Sequence, residues 1–566
     1  MDTNPRDDFN LMIAGEAGQG LATFGELVVK ALVRSGYYIV VTQSYHSRIR
    51  GGHNTFAVRL STEPISTSRD ALDLLVAMNS DGVRLHHDEL AEDGIALADE
   101  KLDAEGARLV KVPFGDLAPG KFANTAGLGV VAALIGLDQA LVDDLVQEQF
   151  GKKHPETADS NRTALENGYA WGREHLPRAG KRVKPATRSS TPRLALNGNQ
   201  AIALGALSAG VRFVSFYPMT PSTSIPLTLI AAADKMGVAF EQAEDEIAAI
   251  NMAIGASFTG APAMVATSGG GFALMVEGIS LAAMTETPVV IAVAQRPGPA
   301  TGLPTRTEQG DLELVLHAGH GEFPRALYAP GSVEQCFHLT REAFLTAEAS
   351  QGPVFILTDQ FLADSFRAVD PLEVEGLETV PVPVDAQPVA LPYRRYEVTD
   401  SGVSPRLLPG FSEHLVQADS DEHDEQGHIT EDHGVRIAQV DKRLRKLDVI
   451  QERVIPPDAS GDPNPDLLLV CWGSAKGAVE DAAAQMRAQG HSVGTLHFSQ
   501  VWPLVPEQFV PALEGAKRVI CCEGNAMGQF ARLIRRETGF HIADTVLRYD
   551  GLPLTPEYIL ERCCTT

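Results

Sequence analysis

The stretch Val289-Val-Ile-Ala-Val-Ala294, followed by Gln295-Arg296, is a fully apolar run that ends in a polar pair. A short apolar run of this kind is typical of a strand that is buried on both faces. Four further segments of similar character occur at 213–218, 238–241, 263–267 and 354–358. Together they predict one parallel α/β sheet, in which ligands bind outside the carboxyl ends of the strands.

Four of these five segments lead into residues that suit binding or catalysis. The first runs into Thr220, the second precedes a helix that has Glu246 near its start, and Val289–Ala294 runs into Arg296. The segment 263–267 runs into the turn Ser268-Gly269-Gly270-Gly271, whereas the segment 354–358 ends without obvious chemistry. We therefore expect a hydroxyl, a carboxylate, a glycine turn and a guanidinium to converge in one crevice.

The composition describes an acidic protein with several domains. The chain has 566 residues, of which 44% are apolar and 21% are charged. This length predicts three or four domains, because a single hydrophobic core stops growing well below it. The net charge of −26 argues against a nucleic-acid-binding surface, and we expect no nucleic-acid partner.

Cysteine usage and hydropathy point to a cytoplasmic protein. The six cysteines include no C-x-x-C pair, which argues against a zinc site or an iron–sulfur cluster held by this chain alone. Few cysteines fit a reducing compartment, and the N-terminus lacks a signal-peptide pattern. The uncharged stretch 247–276 is interrupted by Pro262 and by the glycine turn, so we predict buried elements there and no membrane association.

Changes in composition predict five regions. The first α/β domain covers 1–176, and a basic, proline-containing linker covers 177–192. The crevice belongs to a second α/β domain at 193–385, and a third covers 463–566. The stretch 386–462 between them is polar and is predicted to be an irregular connecting segment.

Three motifs in order carry a family resemblance. They are Tyr217-Pro218-Met-Thr220-Pro-Ser222, Glu246 followed nine residues later by Gly255-Ala256, and Gln295 to Thr305. The combination resembles the α subunit of the 2-oxoacid:ferredoxin oxidoreductases, with the γ domain fused in front. Residues 15–20 and 47–53 resemble that γ domain, and 463–566 resembles a transketolase C-terminal domain. The resemblance covers nearly the whole chain.

The resemblance implies both a fold and a reaction. The fold class would be α/β with several doubly wound domains, one of which (193–385) binds the pyrimidine side of thiamine diphosphate. The family oxidises a 2-oxoacid with coenzyme A to an acyl-CoA and CO2 and passes the electrons to ferredoxin. A separate β subunit holds the diphosphate, Mg2+ and a 4Fe-4S cluster, and we expect an (αβ)2 assembly. This chain shows neither the G-D-G diphosphate signature nor cluster cysteines.

The resemblance gives Glu246 the catalytic role of hydrogen-bonding N1′ of the aminopyrimidine, which favours the tautomer that removes the C2 proton. The alternative is that Glu246 only complements the helix N-terminus, as acidic residues of a first turn often do, and Glu244 and Asp245 fit that role equally well. The remaining cofactor contacts are expected from a set of loop residues: Tyr217, Pro218, Ser268, Gly269 and Gly270.

Substrate-binding residues are predicted from the same motifs. Arg296 would bind the 2-oxoacid carboxylate, since a guanidinium binds carboxylates bidentately. An internal ion pair with Glu286 or Glu308 is the alternative. Thr220 would hydrogen-bond the same carboxylate or form only a local turn. The family resemblance adds three positions: Thr305 for substrate size, and Ser47 and Arg50 near the active site or the CoA channel.

The predicted substrate is 2-oxoglutarate, which would give succinyl-CoA. The segment 393–446, including the acidic run 419–433, resembles enzymes of the 2-oxoglutarate branch; we expect that run to be a solvated loop and not a metal site. Arg48, Arg50 or a basic residue of the β subunit would anchor the distal carboxylate. Competing interpretations are pyruvate or a branched 2-oxoacid as substrate, a non-catalytic scaffold, and a transketolase-like or pyruvate-decarboxylase-like enzyme that uses no ferredoxin.

Overall fold

The computed structural model describes residues 6–45, 51–106, 108–118, 122–151, 157–176, 183–188, 190–380 and 389–563. The chain divides into two compact units. The first comprises Met1–Asn197, Asp364–Leu372 and Thr555–Glu557, and the second comprises Gly198–Ala363, Glu373–Leu554 and Tyr558–Thr566.

The strands follow one another along the whole described chain. They are β1 (Asp8–Ala17), β2 (Tyr38–Ser44), β3 (Gly51–Ser61), β4 (Leu72–Ala77), β5 (Leu90–Asp99), β6 (Leu109–Val112), β7 (Leu194–Leu196), β8 (Phe213–Phe216), β9 (Ala239–Gln242), β10 (Ala263–Thr267), β11 (Val289–Gln295), β12 (Ala326–Tyr328), β13 (Pro353–Asp359), β14 (Arg367–Val369), β15 (Asp458–Gly461), β16 (Leu467–Trp472), β17 (Val493–Phe498), β18 (Gln500–Trp502), β19 (Arg518–Glu523) and β20 (Asp544–Leu547).

Helices connect most of these strands. They are α1 (Leu21–Arg34), α2 (Ser80–His86), α3 (Phe114–Leu117), α4 (Ala123–Ile135), α5 (Gln139–Val146), α6 (Ala158–His175), α7 (Gly198–Ala209), α8 (Ser224–Met236), α9 (Glu246–Phe258), α10 (Gly269–Leu274), α11 (Val276–Met284), α12 (Leu312–His317), α13 (Val333–Ser350), α14 (Gln360–Asp364), α15 (His433–Gln451), α16 (Lys476–Ala488), α17 (Val510–Gly515), α18 (Gln529–Thr538) and α19 (Pro556–Cys563).

The first unit is built on an eight-stranded sheet in the order β6-β5-β4-β1-β3-β2-β14-β7. Strands β1, β4, β5 and β6 are parallel, and β3 joins β1 and β2 in antiparallel pairs. Helices α4 and α6 approach closely where Gly129 faces the Leu165 carbonyl and Gly168 faces the Ala126 carbonyl. A side chain would not fit at either glycine, so the two helices can pack at backbone distance.

The second unit contains two sheets that share a hydrophobic core. The larger has seven strands in the order β18-β12-β13-β11-β10-β8-β9, and the smaller has five in the order β15-β17-β16-β19-β20. In the seven-stranded sheet, all neighbouring strands from β12 to β9 are parallel, and the edge strand β18 runs antiparallel to β12. Strands β10, β11 and β13 are buried along their entire length, as expected for central strands of a parallel sheet. The predicted α/β class with several doubly wound domains is confirmed.

The stretch 386–462 differs from its predicted description as irregular. Helix α15 covers His433–Gln451, and Asp432 caps its N-terminus. The residues that this helix buries are mostly polar: Gln439, Lys442, Arg443, Lys446 and Ile450. A polar inner face produces no apolar periodicity, and this is why the sequence pattern does not reveal the helix.

The acidic run 419–433 packs in part against α15. Glu422 accepts two hydrogen bonds from Arg443, at 3.0 and 2.9 Å. His423 is buried with its ring centroid 4.0 Å from that of Tyr396. The prediction of a solvated loop is therefore wrong for Glu422, which Arg443 of α15 holds, and for His423, which is buried against Tyr396.

Across the described residues, no helix is long and apolar enough to cross a membrane. Over the same residues, no group of three or more His, Cys, Asp and Glu side chains could hold a metal ion.

Candidate active site

The carboxyl ends of five parallel strands meet at one edge of the seven-stranded sheet. Strands β8, β9, β10, β11 and β13 all run in the same direction. Each lies within two residues of its predicted position. The loops that follow β8, β10 and β11 carry Thr220, Ser268 and Arg296, and α9 begins after β9. The residues predicted to form the crevice thus lie at the carboxyl edge of the seven-stranded sheet.

Three adjacent acidic residues before and at the start of α9 have different environments. Asp245 is the N-cap, and its carboxylate accepts a hydrogen bond of 2.7 Å from the Ala248 N–H. Glu244 is exposed to solvent. Glu246, the first residue of the helix, is only 3% exposed. Asp245 therefore performs the capping that was an alternative role for Glu246.

The Glu246 carboxylate lies in a dry position with one oxygen unsatisfied. Its Oε1 is buried and has no hydrogen-bond partner within the described structure. Gly271 makes this position possible, because a Cβ there would lie 2.5 Å from Oε1. A buried carboxylate oxygen without a partner is costly. Such an arrangement is consistent with a ligand that supplies the missing hydrogen bond.

The turn after β10 adds a second unsatisfied polar atom. Ser268 is fully buried, and its Oγ neither caps α10 nor makes another hydrogen bond among the described residues. Gly269 is buried and Gly270 is exposed. The turn therefore brings a hydroxyl and accessible backbone close to the Glu246 carboxylate.

Arg296 and Thr220 are brought together. The Arg296 Nη1 donates a hydrogen bond of 2.6 Å to the Thr220 carbonyl. Asn199 on α7 stabilises the loop that contains Thr220, because its side chain donates a hydrogen bond of 2.8 Å to the Pro221 carbonyl. The Thr220 hydroxyl makes no hydrogen bond within the described part of the chain, so it remains available to a ligand.

The alternative ion pairs for Arg296 are not formed. The Glu286 carboxylate instead binds Lys442 and Lys446, each at 2.6 Å. Within the described residues Arg296 has no carboxylate within 4.0 Å, and Glu308 forms no ion pair. The charge of Asp311 opposes the lowering of the Arg296 pKa by burial. Arg296 therefore retains an unpaired guanidinium at the sheet edge.

Sequence reasoning missed three residues that shape this edge. Gln295 is fully buried. Its side chain donates a hydrogen bond of 3.1 Å to the Thr358 carbonyl and accepts one of 2.9 Å from the Asp311 N–H. Asp311 faces Gly269, and its Oδ2 is buried without a hydrogen-bond partner. Gly271 was quoted in the turn but given no role. Gln295 and Gly271 had a detectable signal: Gln295 is the polar residue that follows a fully apolar run, and a third glycine in a turn indicates close approach by a neighbour.

The remaining predicted residues are placed as follows. Tyr217 and Pro218 are exposed after β8, and Tyr217 is 40% exposed. Thr305 is buried in the loop between β11 and α12. Ser47 and Arg50 lie outside the described residues.

The contacts form a continuous line around the turn. Glu246 lies against Gly271, Asp311 lies against Gly269, and Asp311 is electrostatically coupled to Arg296. At one end of this series of contacts lie the unsatisfied Glu246 carboxylate and Ser268 hydroxyl, and at the other end lies the unpaired Arg296 guanidinium. This arrangement suits a ligand that brings a polar heterocycle to Glu246 and an anion to Arg296.

Three family models match the chain in sequence order. They are "Pyruvate ferredoxin/flavodoxin oxidoreductase" at residues 10–171, "Pyruvate flavodoxin/ferredoxin oxidoreductase, thiamine diP-bdg" at 204–442, and "Pyruvate:ferredoxin oxidoreductase core domain II" at 465–559. The second match contains both ends of the line of contacts described above. The chain thus has a thiamine diphosphate-binding domain.

Similar proteins cover almost the full length. The 2-oxoacid:ferredoxin oxidoreductase subunit alpha of Sulfolobus sp is 30% identical over 97% of this chain and 95% of its own length. The 2-oxoglutarate oxidoreductase subunit KorA of Mycobacterium tuberculosis is 28% identical over 93% of this chain and 86% of its own. The solved 2-oxoglutarate:ferredoxin oxidoreductase from Magnetococcus marinus, with 2-oxoglutarate, coenzyme A and succinyl-CoA bound, matches with a TM-score of 0.93 and 29% identity over 99% of both chains. Three family models match in the expected order, and relatives of the same kind cover almost the whole chain. The chain therefore belongs to the 2-oxoacid:ferredoxin oxidoreductases, an oxidoreductase family, as an α subunit.

Proposed function

We propose that this α subunit works with a β subunit to convert 2-oxoglutarate and coenzyme A to succinyl-CoA and CO2, with ferredoxin as the electron acceptor. The observation that carries the proposal is the buried, unpartnered Glu246 Oε1 beside the glycine turn. A lone carboxylate at this point requires a donor from outside the described chain. The aminopyrimidine of thiamine diphosphate has the matching chemistry.

Thiamine diphosphate, when bound, supplies the nucleophilic carbon and the electron sink that decarboxylation of a 2-oxoacid needs. Glu246 would hold the pyrimidine ring and fix the proton at N1′. Ser268 and the backbone at Gly269 and Gly270 would line the same side of the ring. The low exposure of Glu246 strengthens its hydrogen bond, because water does not compete for it.

Arg296 and Thr220 would bind and orient the substrate. The Arg296 guanidinium has donors left after its bond to the Thr220 carbonyl, and no carboxylate of the described chain takes them. The carboxylate of a 2-oxoacid can accept two parallel hydrogen bonds from the remaining N–H groups of this guanidinium. Thr305, which is buried on the same loop, would limit the space next to the 2-oxo group.

A partner chain would complete the site. Several exposed apolar side chains lie on segments at or near the carboxyl edge, which is unusual for a surface that stays in water: Tyr217, Ile247, Leu274 and Leu303. The β subunit would cover this surface and bring the diphosphate site, Mg2+ and the 4Fe-4S cluster. An (αβ)2 assembly with ferredoxin as a transient partner is the form that we propose.

The choice of 2-oxoglutarate is supported by names among the relatives. The M. tuberculosis subunit and the solved M. marinus enzyme are both named for 2-oxoglutarate. The Sulfolobus relative is named for 2-oxoacids in general, and the matching family models are named for pyruvate. Pyruvate is therefore the main competing substrate.

The test is reconstitution of the chain with its β subunit, supplied with thiamine diphosphate, Mg2+ and coenzyme A. The kcat/KM for reduction of a viologen dye is measured with 2-oxoglutarate, pyruvate and a branched 2-oxoacid. We expect the highest value with 2-oxoglutarate and no dye reduction by either subunit alone. A preference for pyruvate would overturn the substrate, and activity of the isolated chain would overturn the need for a partner.

A further inference from the structure

Asp311 is a half-buried carboxylate near Arg296, and one of its oxygens is fully buried. Its backbone N–H donates a hydrogen bond of 2.9 Å to Gln295 Oε1. This bond fixes Asp311 beside the end of β11. Its carboxylate lies over Gly269, where a Cβ would be 2.7 Å from the Asp311 Cγ. The Oδ2 atom is buried and has no hydrogen-bond partner within the described residues. No described residue therefore satisfies this oxygen, although the backbone N–H of Asp311 is hydrogen-bonded.

Few charged groups face Asp311. Arg296 lies on the loop after β11, and Glu308 precedes Asp311 on its own segment. Glu246 lies at the start of α9, across the same glycine turn. Burial raises the pKa of Asp311 to about 6, and the positive charge of Arg296 opposes that rise. Arg296 is thus the one described cation that keeps the Asp311 carboxylate ionised near neutral pH.

A substrate carboxylate bound to Arg296 would change this balance. Two anions would then share one partly buried cation, and like charges in a desolvated site disfavour joint ionisation. The substrate carboxylate is the stronger acid and binds the guanidinium directly. Asp311 would lose the counter-charge that opposes the effect of burial.

We infer that Asp311 is a positioning residue that takes up a proton when the carboxylate of the 2-oxoacid binds to Arg296. The proton comes from solvent, no covalent bond is made or broken, and the neutral carboxyl gains an O–H that can donate a hydrogen bond. Substrate binding and proton uptake are then linked. The inference rests on the proposed placement of the carboxylate at Arg296.

The experiment is calorimetric titration of the reconstituted complex with N-oxalylglycine, an unreactive dicarboxylate analogue of 2-oxoglutarate. Titrations at pH 7 in two buffers with different ionisation enthalpies give the number of protons taken up. We expect more than about half a proton per bound analogue in the wild type and close to none in Asp311→Asn. The matched control is Glu313→Gln, which removes an exposed carboxylate two residues further on, and which should keep the wild-type uptake.

A second measurement needs no variant and stays informative if Asp311→Asn folds poorly. The Kd of the wild-type complex for the analogue should rise with pH above about 6, approaching tenfold per unit. A flat Kd between pH 6 and 8, or unchanged proton uptake in Asp311→Asn, would overturn the inference and leave the proposed function standing. Failure of the wild-type complex to bind the analogue or any 2-oxoacid would overturn both.

Discussion

Two groups of charged side chains in the second unit, one partly buried and one fully buried, differ in how their charges are paired. The crevice group, formed by Glu246, Asp311 and Arg296, has carboxylate oxygens without partners and a guanidinium without an ion pair. The helix group, formed by Glu286, Lys442 and Lys446, has its charges paired at 2.6 Å. Both lie in the same unit and are built from the same kinds of side chain.

The helix group is neutralised by ion pairs within the chain: Lys446 Nζ lies 2.6 Å from Glu286 Oε2, although that oxygen makes no hydrogen bond of regular geometry among the described residues. Glu286 and Lys442 are fully buried, and Arg395 donates 2.8 Å to the Glu286 carbonyl. Burial alone would raise the pKa of the Glu286 carboxyl, but the charges of Lys446, Lys442 and Arg395 outweigh it and lower the pKa to about 2. The ionised state is therefore stable without any ligand, which assigns this group to folding.

The difference between the groups separates structure from function. Buried charges that the fold neutralises hold α15 against the sheet and need nothing else. Buried polar atoms that the fold leaves unsatisfied raise the free energy of the folded chain until a ligand supplies the missing partner. Removal of a helix-group charge should therefore destabilise the chain, whereas removal of a crevice-group charge should impair function without destabilising it.

The largest effect is expected for Glu246→Gln. This change removes the carboxylate that fixes the pyrimidine proton, so CO2 release by the reconstituted complex should fall about 10²–10⁴-fold. Thermal unfolding should stay close to that of the wild type, because Gln has nearly the same shape as Glu. Glu244→Gln, two residues away and exposed, is the control and should keep wild-type turnover. Near-normal CO2 release by Glu246→Gln would show that the wrong carboxylate has been chosen.

Glu286→Gln should produce the opposite pattern. It leaves two lysines without their counter-charge in the core, which should lower the free energy of unfolding by about 3–5 kcal/mol. Turnover per folded complex should stay close to that of the wild type. Denaturant unfolding measures the first quantity, and Glu277→Gln on the exposed side of α11 is the control. An unfolding curve that matches the wild type would remove the distinction between the two groups.

Arg296→Ala should raise the KM for the 2-oxoacid and leave the KM for coenzyme A nearly unchanged. Loss of a charged hydrogen bond at a partly buried site corresponds to roughly 2–3 kcal/mol, or about 30-fold to 150-fold. Steady-state kinetics of the complex with each substrate varied in turn provide the measurement. If the KM for coenzyme A rose instead, Arg296 would belong to the coenzyme A channel.

Asp311→Asn should stabilise the chain in a pH-dependent way. Because the pKa rises from 3.8 in the unfolded chain to about 6 in the folded chain, the folded state binds more protons between these values and loses stability as the pH increases through them. The variant should therefore match the wild type below about pH 4 and exceed it by up to about 3 kcal/mol above pH 6. Urea unfolding at pH 4 and at pH 8 provides the comparison. Equal stabilities at pH 8 would mean that Asp311 is not held in an unfavourable charged state.

The crevice could be predicted from the sequence, whereas the helix group could not. Apolar strands that are followed by Thr220, Glu246 and Arg296 are visible as a pattern, and parallel strands place the residues that follow them at one edge. The inner face of α15 is made of Gln, Lys and Arg, and no apolar period marks such a helix. Asp311 also escaped notice, since its role depends on contact with Gly269, which is distant in sequence. The short strands β7 and β14, which join the first sheet, carry too few residues for a period to be detected.

The most direct test of the account is a structure of the reconstituted complex with thiamine diphosphate bound. The distance between a Glu246 carboxylate oxygen and N1′ of the aminopyrimidine decides whether the unsatisfied oxygen is the cofactor contact. We predict a hydrogen bond of about 2.6–3.0 Å. A separation beyond about 4 Å, or a cofactor whose pyrimidine lies away from the Ser268–Gly271 turn, would contradict the account.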